Sequence, residues 1–342
     1  MTVDLPLIWG GIIALAVLLY VLLDGFDLGV GILFPFATDK DRDIMMASIA
    51  PVWDGNETWL VLGGGGLMIA FPAAYAILMP ALYLPVTLML MGLILRGVAF
   101  EFRLHGRTRG KRFWTWAFAA GSLAAALAQG FVLGGFIQGV TVKNGQFAGG
   151  PLDWATPYTL VVALGLVAGY ALLGSAWLII KTEDELHGLA RKWAVRSAFA
   201  VGAVLAVVSI ATLFMHPLVS LRWGASAHGI DQARFLPLAP IPLMGAVGLL
   251  MAIVGARSPQ SHPHTPMVGA AMAFLSGYLG LAVGFLPYIV PYAITYEQAA
   301  SSPGALKLML GGTVVLLPMI LGYSAWVYWI FRGKVSADAG YH

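Results

Sequence analysis

The chain contains no cysteine. That excludes disulfides, thiolate metal sites and cysteine nucleophiles, and it leaves the redox compartment open. Charge is scarce as well: Asp, Glu, Lys and Arg make up 10% of 342 residues, against about 25% in an ordinary soluble domain. With 59% hydrophobic residues, this composition excludes a solvated globular fold and points to a bilayer-embedded chain. No stretch between the apolar runs is long enough for a soluble domain. HExxH, P-loop and Rossmann signatures are missing, and the basic stretch 103–112 is explained by membrane topology, so nucleic acid is not an expected partner. The opening MTVDLPLIWG has neither a basic lead nor a small-residue cleavage pattern, so it is expected to be a retained first span.

What is present is a series of apolar runs. A helix needs about 20 apolar residues to cross the hydrocarbon core, which predicts nine spans, at 7–34, 51–71, 76–98, 114–137, 157–180, 194–215, 237–256, 267–290 and 308–331. The expected fold is an all-α polytopic membrane protein forming one integral-membrane domain over 1–342. Two four-helix bundles, about 7–137 and 157–290, would be joined by a peripheral last helix at 308–331. Loops 138–156 and 216–236 are the longest and are expected to cap one membrane face. GxxxG pairs at Gly130/Gly134, Gly165/Gly169 and Gly280/Gly284 predict close helix contacts. The run Gly63–Gly66 both loosens a helix and admits a neighbour. Trp114, Trp116, Tyr328 and Trp329 read as interfacial belt residues.

Basic residues sort between alternate loops. Thirteen, including Lys40, Arg42, Arg103, Arg107, Arg109, Lys111, Lys181, Arg191 and Lys334, fall on one side, and only Lys143, Arg222, Arg234 and Lys307 fall on the other. The positive-inside rule makes the first side cytoplasmic. The N-terminus is then expected outside and the C-terminus inside, which requires an odd number of spans.

Against this apolar background stand four carboxylates: Asp24 and Asp27 in the first span, Asp54 and Glu57 in the second. An Asp at bilayer depth costs roughly 2.5–3.5 kcal/mol on insertion scales, so such groups face protein or water and commonly mark an ion or proton path. Each pair is spaced i, i+3 and projects from one helix face. At 1.5 Å per residue, Asp27 lies roughly 12 Å, Asp54 roughly 5 Å and Glu57 roughly 10 Å from the cytoplasmic side. Span three returns Arg96 to the same region. Four acids and a guanidinium therefore gather in three consecutive helices, and water-linked carboxylates there would pass protons inward. The competing reading is a set of buried ion pairs that fixes packing, with Asp24-Gly25 and Asp54-Gly55 capping or kinking helices. Trp53 and Asn56 flank the acids as supporting residues, although Trp53 also suits an interfacial belt. His105, His187, His228, His262 and His264 fall in loops and His216 at a span end. None sits mid-span, where an axial haem ligand is wanted.

The segments GFDLGVG (25–31), SIAPVWDGNETWL (48–60), LRGVAFEFR (95–103), LIIKTEDEL (178–186), LPYIVPYAIT (286–295) and YWIFRGKV (328–335) resemble subunit II of the cytochrome bd-type quinol oxidases. They run in order over nearly the whole chain. The NET form of the second segment and the short length resemble the cyanide-insensitive branch. The resemblance implies a terminal oxidase of aerobic respiration in the bacterial cytoplasmic (inner) membrane, passing electrons from quinol to dioxygen without pumping protons. It places haem b and haem d in a haem-bearing partner, subunit I, and no cofactor on ligands of this chain. A bound quinone, a small accessory subunit, membrane lipid and quinol are further expected associates. It implies that Asp54 lines a cytoplasmic proton path, with Asp27 and Asp24 in the same motif region. Catalytic residues are not expected in this subunit.

Two other classes fit the acids. A proton-coupled transporter would also use intramembrane carboxylates, but with related halves carrying matching helix breaks. A purely structural scaffold would use them for packing.

Overall fold

The computed structural model describes residues 4–105, 108–226 and 229–335. Arg107 and His228, and the side chains of His105 and Arg109, lie outside that description. Asp4 caps the first helix by accepting from the Leu7 amide at 3.0 Å, and an apolar run carries α1 (Leu5–Leu33) to a 3-10 turn at Phe34–Phe36. Then follow α2 (Asp39–Ile49), α3 (Trp53–Ala70), α4 (Pro72–Ala81), α5 (Tyr83–His105), α6 (Thr108–Gln138), α7 (Pro157–Lys181) and α8 (Asp184–Met215). Short α9 (Pro217–Arg222) and α10 (Gln232–Phe235) precede α11 (Pro240–Arg257) and α12 (Thr265–Phe285), and the one-turn α13 (Tyr296–Ala299) leads into α14 (Pro303–Ile330). Among the described residues, three antiparallel strand pairs, 142–143 with 146–147, 225–226 with 229–230 and 288–290 with 294–295, sit in the connections.

Among the described residues, eight helices are long and apolar enough to cross a membrane. The ninth expected span is α3, 18 residues long and so roughly 27 Å. Asp54, Asn56, Glu57 and five glycines dilute its apolar character. The expected third span at 76–98 is displaced. Phe71, just ahead of Pro72, leaves the helical region, and a second break at Leu82 assigns 76–81 to α4 and starts the long helix at Tyr83. A residue before proline is biased away from helix, and Pro85 is tolerated in the first turn of α5, where its missing N–H is not needed.

Helix α1 packs on α3, α6 and α7, α5 on α6, α6 on α7, α7 on α8, and α11 on both α12 and α8, while α14 lies outside against α1 and α3. The tightest crossing joins α1 to α7. A Cβ on Gly29 would lie 1.8 Å from the Tyr170 carbonyl oxygen, and one on Gly174 would lie 2.4 Å from the Gly29 carbonyl carbon, so only glycine permits this approach. Gly130 and Gly134 bring α6 against Ala163 and Thr159 of α7 as expected, whereas Gly284 meets nothing within 4 Å and the last GxxxG pair makes no close crossing. Within the glycine run, Gly63 and Gly66 face Val17 and Ile13 of α1, and Gly64 and Gly65 face open space.

The two ends of the bundle differ in chemistry. At the basic end, Arg103 and Lys111 each donate to Asp43 at 2.8 Å, Lys334 donates to the Thr182 carbonyl at 3.0 Å, and Arg191 donates to the Ala256 carbonyl at 2.7 Å. At the opposite end, Ser301 N–H donates to the Ala70 carbonyl at 2.8 Å, and Tyr292 stacks on His216 with centroids 3.8 Å apart. Loops 138–156 and 216–236 both lie at this second end.

Candidate functional site

Helix periodicity decides which polar groups of α3 face inward. The buried positions are Asn56, Trp59, Gly63, Gly66 and Ala70, a stripe that packs on α1. At about 100° per residue, Trp53 falls on the flank beside that stripe, while Glu57 and Asp54 fall roughly 140° and 160° from its centre. Asn56 is therefore the polar side chain of α3 that enters the α1 interface. Asp54 is exposed, and Glu57 is intermediate, with about a third of its side chain (32%) exposed.

Asp24 and Asp27 are both fully buried on α1, and Arg96 of α5 is equally buried. Arg96 pairs directly with Asp24. Its Nη2 also lies 3.7 Å from Glu57 Oε2, and its guanidinium sits 5.4 Å from the Trp53 ring centroid. This contact identifies a role for Trp53 beyond the interfacial belt. A guanidinium between a carboxylate and an aromatic face is compensated twice, which a buried cation requires. Asp27 is held differently: its Oδ2 accepts from Asn56 Nδ2 at 2.8 Å. Asn56 Nδ2 also approaches the Leu23 carbonyl at 3.4 Å, and Asn56 Oδ1 accepts from the Tyr328 hydroxyl at 2.7 Å.

A second polar line leaves Asp24 on its other side. The Tyr20 hydroxyl neighbours Asp24 and accepts from Gln129 Nε2 at 2.6 Å, while Tyr170 donates to Gln129 Oε1 at 2.5 Å. Tyr20, Gln129 and Tyr170 are all buried. Asp27 Oδ1 and Arg96 Nε and Nη1 are buried with no hydrogen-bond partner among the described residues. Buried polar atoms are nearly always satisfied, by protein or ordered water.

The structure thus brings Asp24, Asp27, Asn56, Glu57, Arg96 and Trp53 into one cluster and leaves Asp54 at its edge on the outer face of α3. Sequence reasoning missed Tyr328, Tyr20, Gln129 and Tyr170. Tyr328 carried only an interfacial signal, and a buried tyrosine or glutamine has no spacing rule that marks its partner. Among the described residues no group of three or more His, Asp and Glu is placed to hold a metal ion. His216 accepts from the Leu218 amide at 3.2 Å as a helix cap, and His262 stacks on His264 at 5.1 Å outside the spans.

Comparison with known proteins gives a consistent answer. The family model for cytochrome bd terminal oxidase subunit II matches residues 5–331. The chain is 29% identical over 374 residues to cytochrome bd-I ubiquinol oxidase subunit 2 of Escherichia coli K12, covering 98% of this chain and 96% of the relative. It is 26% identical over 341 residues to cytochrome bd ubiquinol oxidase subunit 2 of Bacillus subtilis 168, covering 96% of each. A chain of the bd oxidase from Geobacillus thermodenitrificans shares the fold, with a TM-score of 0.75 at 15% identity over 97% of this chain and 100% of that one. With a family match over residues 5–331, the chain belongs to the cytochrome bd terminal oxidase subunit II family.

Proposed function

We propose that this chain is the non-haem subunit of a quinol:oxygen oxidoreductase, and that it supports a haem-bearing subunit I and supplies a proton path to it. In this reading four electrons from two quinols and four protons from the cytoplasm reduce dioxygen to two waters. The quinol protons leave on the outer side, so turnover is electrogenic without pumping. Haem b and haem d belong to the partner, and quinol and any bound quinone meet the complex from the bilayer. The basic end faces the cytoplasm of a bacterial inner membrane by the positive-inside rule, with the N-terminus outside and the C-terminus inside. The whole chain works as one integral-membrane unit, its two bundles joined through the α1, α6 and α7 contacts.

The observation that carries the proton path is the charge ratio of the cluster. Three carboxyl groups, Asp24, Asp27 and Glu57, surround one guanidinium, Arg96. An uncompensated buried carboxylate is costly, so a cluster with this ratio has room for an exchangeable proton. Asp54 and the partly exposed Glu57 open it on the face of α3, which carries exposed Val61, Met68 and Ile69. An exposed acid on an apolar membrane helix calls for a protein or water neighbour, and a haem-bearing subunit seated there would receive the protons. Asp54 is then the entry group, Glu57 the next carboxyl, and Asp24 and Asp27 the inner pair.

The test is Asp54→Asn in the purified complex. Oxygen uptake per haem should fall at least several-fold while haem content stays at the wild-type level, because the amide keeps the shape and loses the titrating proton. Wild-type turnover at every pH would remove Asp54 from the path.

A further inference from the structure

The amide of Asn56 is held from both sides, and the two partners constrain one another. An ionised carboxylate only accepts hydrogen bonds, an amide oxygen only accepts, and an amide nitrogen only donates. With Asp27 ionised, Asn56 must turn Nδ2 towards it, and Oδ1 is then left facing the Tyr328 hydroxyl, which donates. When Asp27 takes up a proton, its new O–H needs an acceptor. Asn56 supplies one by turning Oδ1 to Asp27, which swings Nδ2 to the Tyr328 oxygen. A hydroxyl serves either role, so tyrosine accommodates both arrangements. Phenylalanine accommodates neither.

We propose that Tyr328 of α14 is a positioning residue for proton transfer at Asp27, acting through Asn56. Its hydroxyl stabilises the orientation of the amide that the protonation state of Asp27 demands. As the O–H of Asp27 forms, the O–H of the acid that gives up the proton breaks, and no other covalent bond changes. The proton arrives from the neighbouring acid and leaves by the same carboxyl, while amide and hydroxyl only reorient. This inference rests on the reading of Asp27 as a proton-path residue.

The surroundings hold Tyr328 in place for this task. Its ring meets Phe26 at 6.5 Å and Trp177 at 6.1 Å, both edge-on, and Phe26 and Trp177 stack on each other at 4.3 Å. Those contacts are made by the ring and persist in Tyr328→Phe, so that variant removes the hydroxyl alone. Asp27 is faced by Asp24 on its own helix, by Asn56 and Glu57 on α3, by Arg96 on α5 and by Tyr328 on α14. Among the described residues, only the Tyr328 side chain reaches it through the amide.

The experiment compares Tyr328→Phe, Asn56→Ala, the double variant and Asp27→Asn in the purified oxidase, with Trp329→Phe as a control on the exposed side of the same helix. Oxygen uptake per haem is read from pH 5.5 to 9. Tyr328→Phe should displace the pH profile by about half a unit or more with unchanged haem content. Trp329→Phe should leave the profile in place, and Tyr328→Phe should add no further displacement in the Asn56→Ala background. If Asp27→Asn slows turnover but the Tyr328→Phe profile coincides with wild type, the proposal falls and the acid path stands. If Asp27→Asn is also unaffected, the acid path falls and takes the proposal with it. A lowered yield with an unmoved profile would make Tyr328 merely structural and overturn the proposal. Should the phenylalanine variant assemble poorly, Asn56→Ala decides alone: an unmoved profile there overturns it.

Discussion

Lys181 and Lys334 cap one another's helices. The Lys181 ammonium donates to the carbonyls of Phe331 and Gly333 at the end of α14, and Lys334 donates to the Thr182 carbonyl at the end of α7. The Val335 amide adds a bond to the Lys181 carbonyl at 2.8 Å. Cations at helix C-termini are favoured by the dipole and by the unpaired carbonyls there. Helix α14 is otherwise largely exposed, so this exchange is its main polar anchor at the basic end. Lys181→Met should therefore destabilise the seating of α14 by about 1–3 kcal/mol. Limited proteolysis of the complex should cut near 331–335 faster than in wild type. Lys334→Met should do less, because Lys334 is partly exposed and its 3.7 Å contact with Glu183 is screened.

Arg96→Leu should be severe. The change leaves Asp24 buried without its cation, and breaking a buried pair costs roughly 3–5 kcal/mol. The expected result is a loss of co-purifying haem and of complex yield, read from the ratio of haem absorbance to protein. Arg96→Lys keeps the charge but loses the planar contact with Trp53, and it should fall between the two.

Asp43 sets a pH dependence at the basic end. Partial burial pushes its carboxyl up, but hydrogen bonds and charge from Lys111 and Arg103 more than offset this and hold it below the ordinary carboxylate value. A group depressed on folding stabilises above its unfolded value, about pH 4, and that contribution is lost as pH falls through the folded value. Asp43→Asn should lower the melting temperature of the complex at neutral pH, and the difference from wild type should shrink below about pH 4. Asp43 is half exposed, so screening limits the effect; most of the loss comes from the buried Arg103 left without its acid.

The orientation is checked by reporter fusions ending at Gly145 and at Glu183. The first should report an external position and the second a cytoplasmic one. Reversed signals would place Asp54 at the outer face and remove the cytoplasmic origin of its protons.

The spans were legible because hydrophobic length is a local property: α1 and α7 match their expected limits within two residues. The break at Leu82 was hidden, since Pro72, Pro80 and Pro85 lie in an unbroken apolar run and hydropathy does not register backbone direction. The gathering of Asp24, Asp27, Glu57 and Arg96 followed from span order and depth. Which of them would be covered did not, because i, i+3 spacing places residues on a shared face without saying which neighbour that face meets. Asn56, two residues from Asp54, won the interface through its register with Trp59, Gly63 and Gly66. Tyr328 stayed invisible for the same reason at longer range: its partner lies 272 residues away, and nothing in local pattern encodes such a pairing.

The Gly29–Gly174 crossing has a bearing on how protons move. Two backbones in direct contact resist rotation or sliding of α1, and Gly29 follows Asp27 by only two residues. The acids therefore sit on a helix pressed backbone to backbone against α7, an arrangement that disfavours a piston-like or rocking helix as the carrier in the proposed path. On the proposed proton path, transport along this cluster would use side-chain rotation and solvent, with each carboxyl keeping its depth in the membrane.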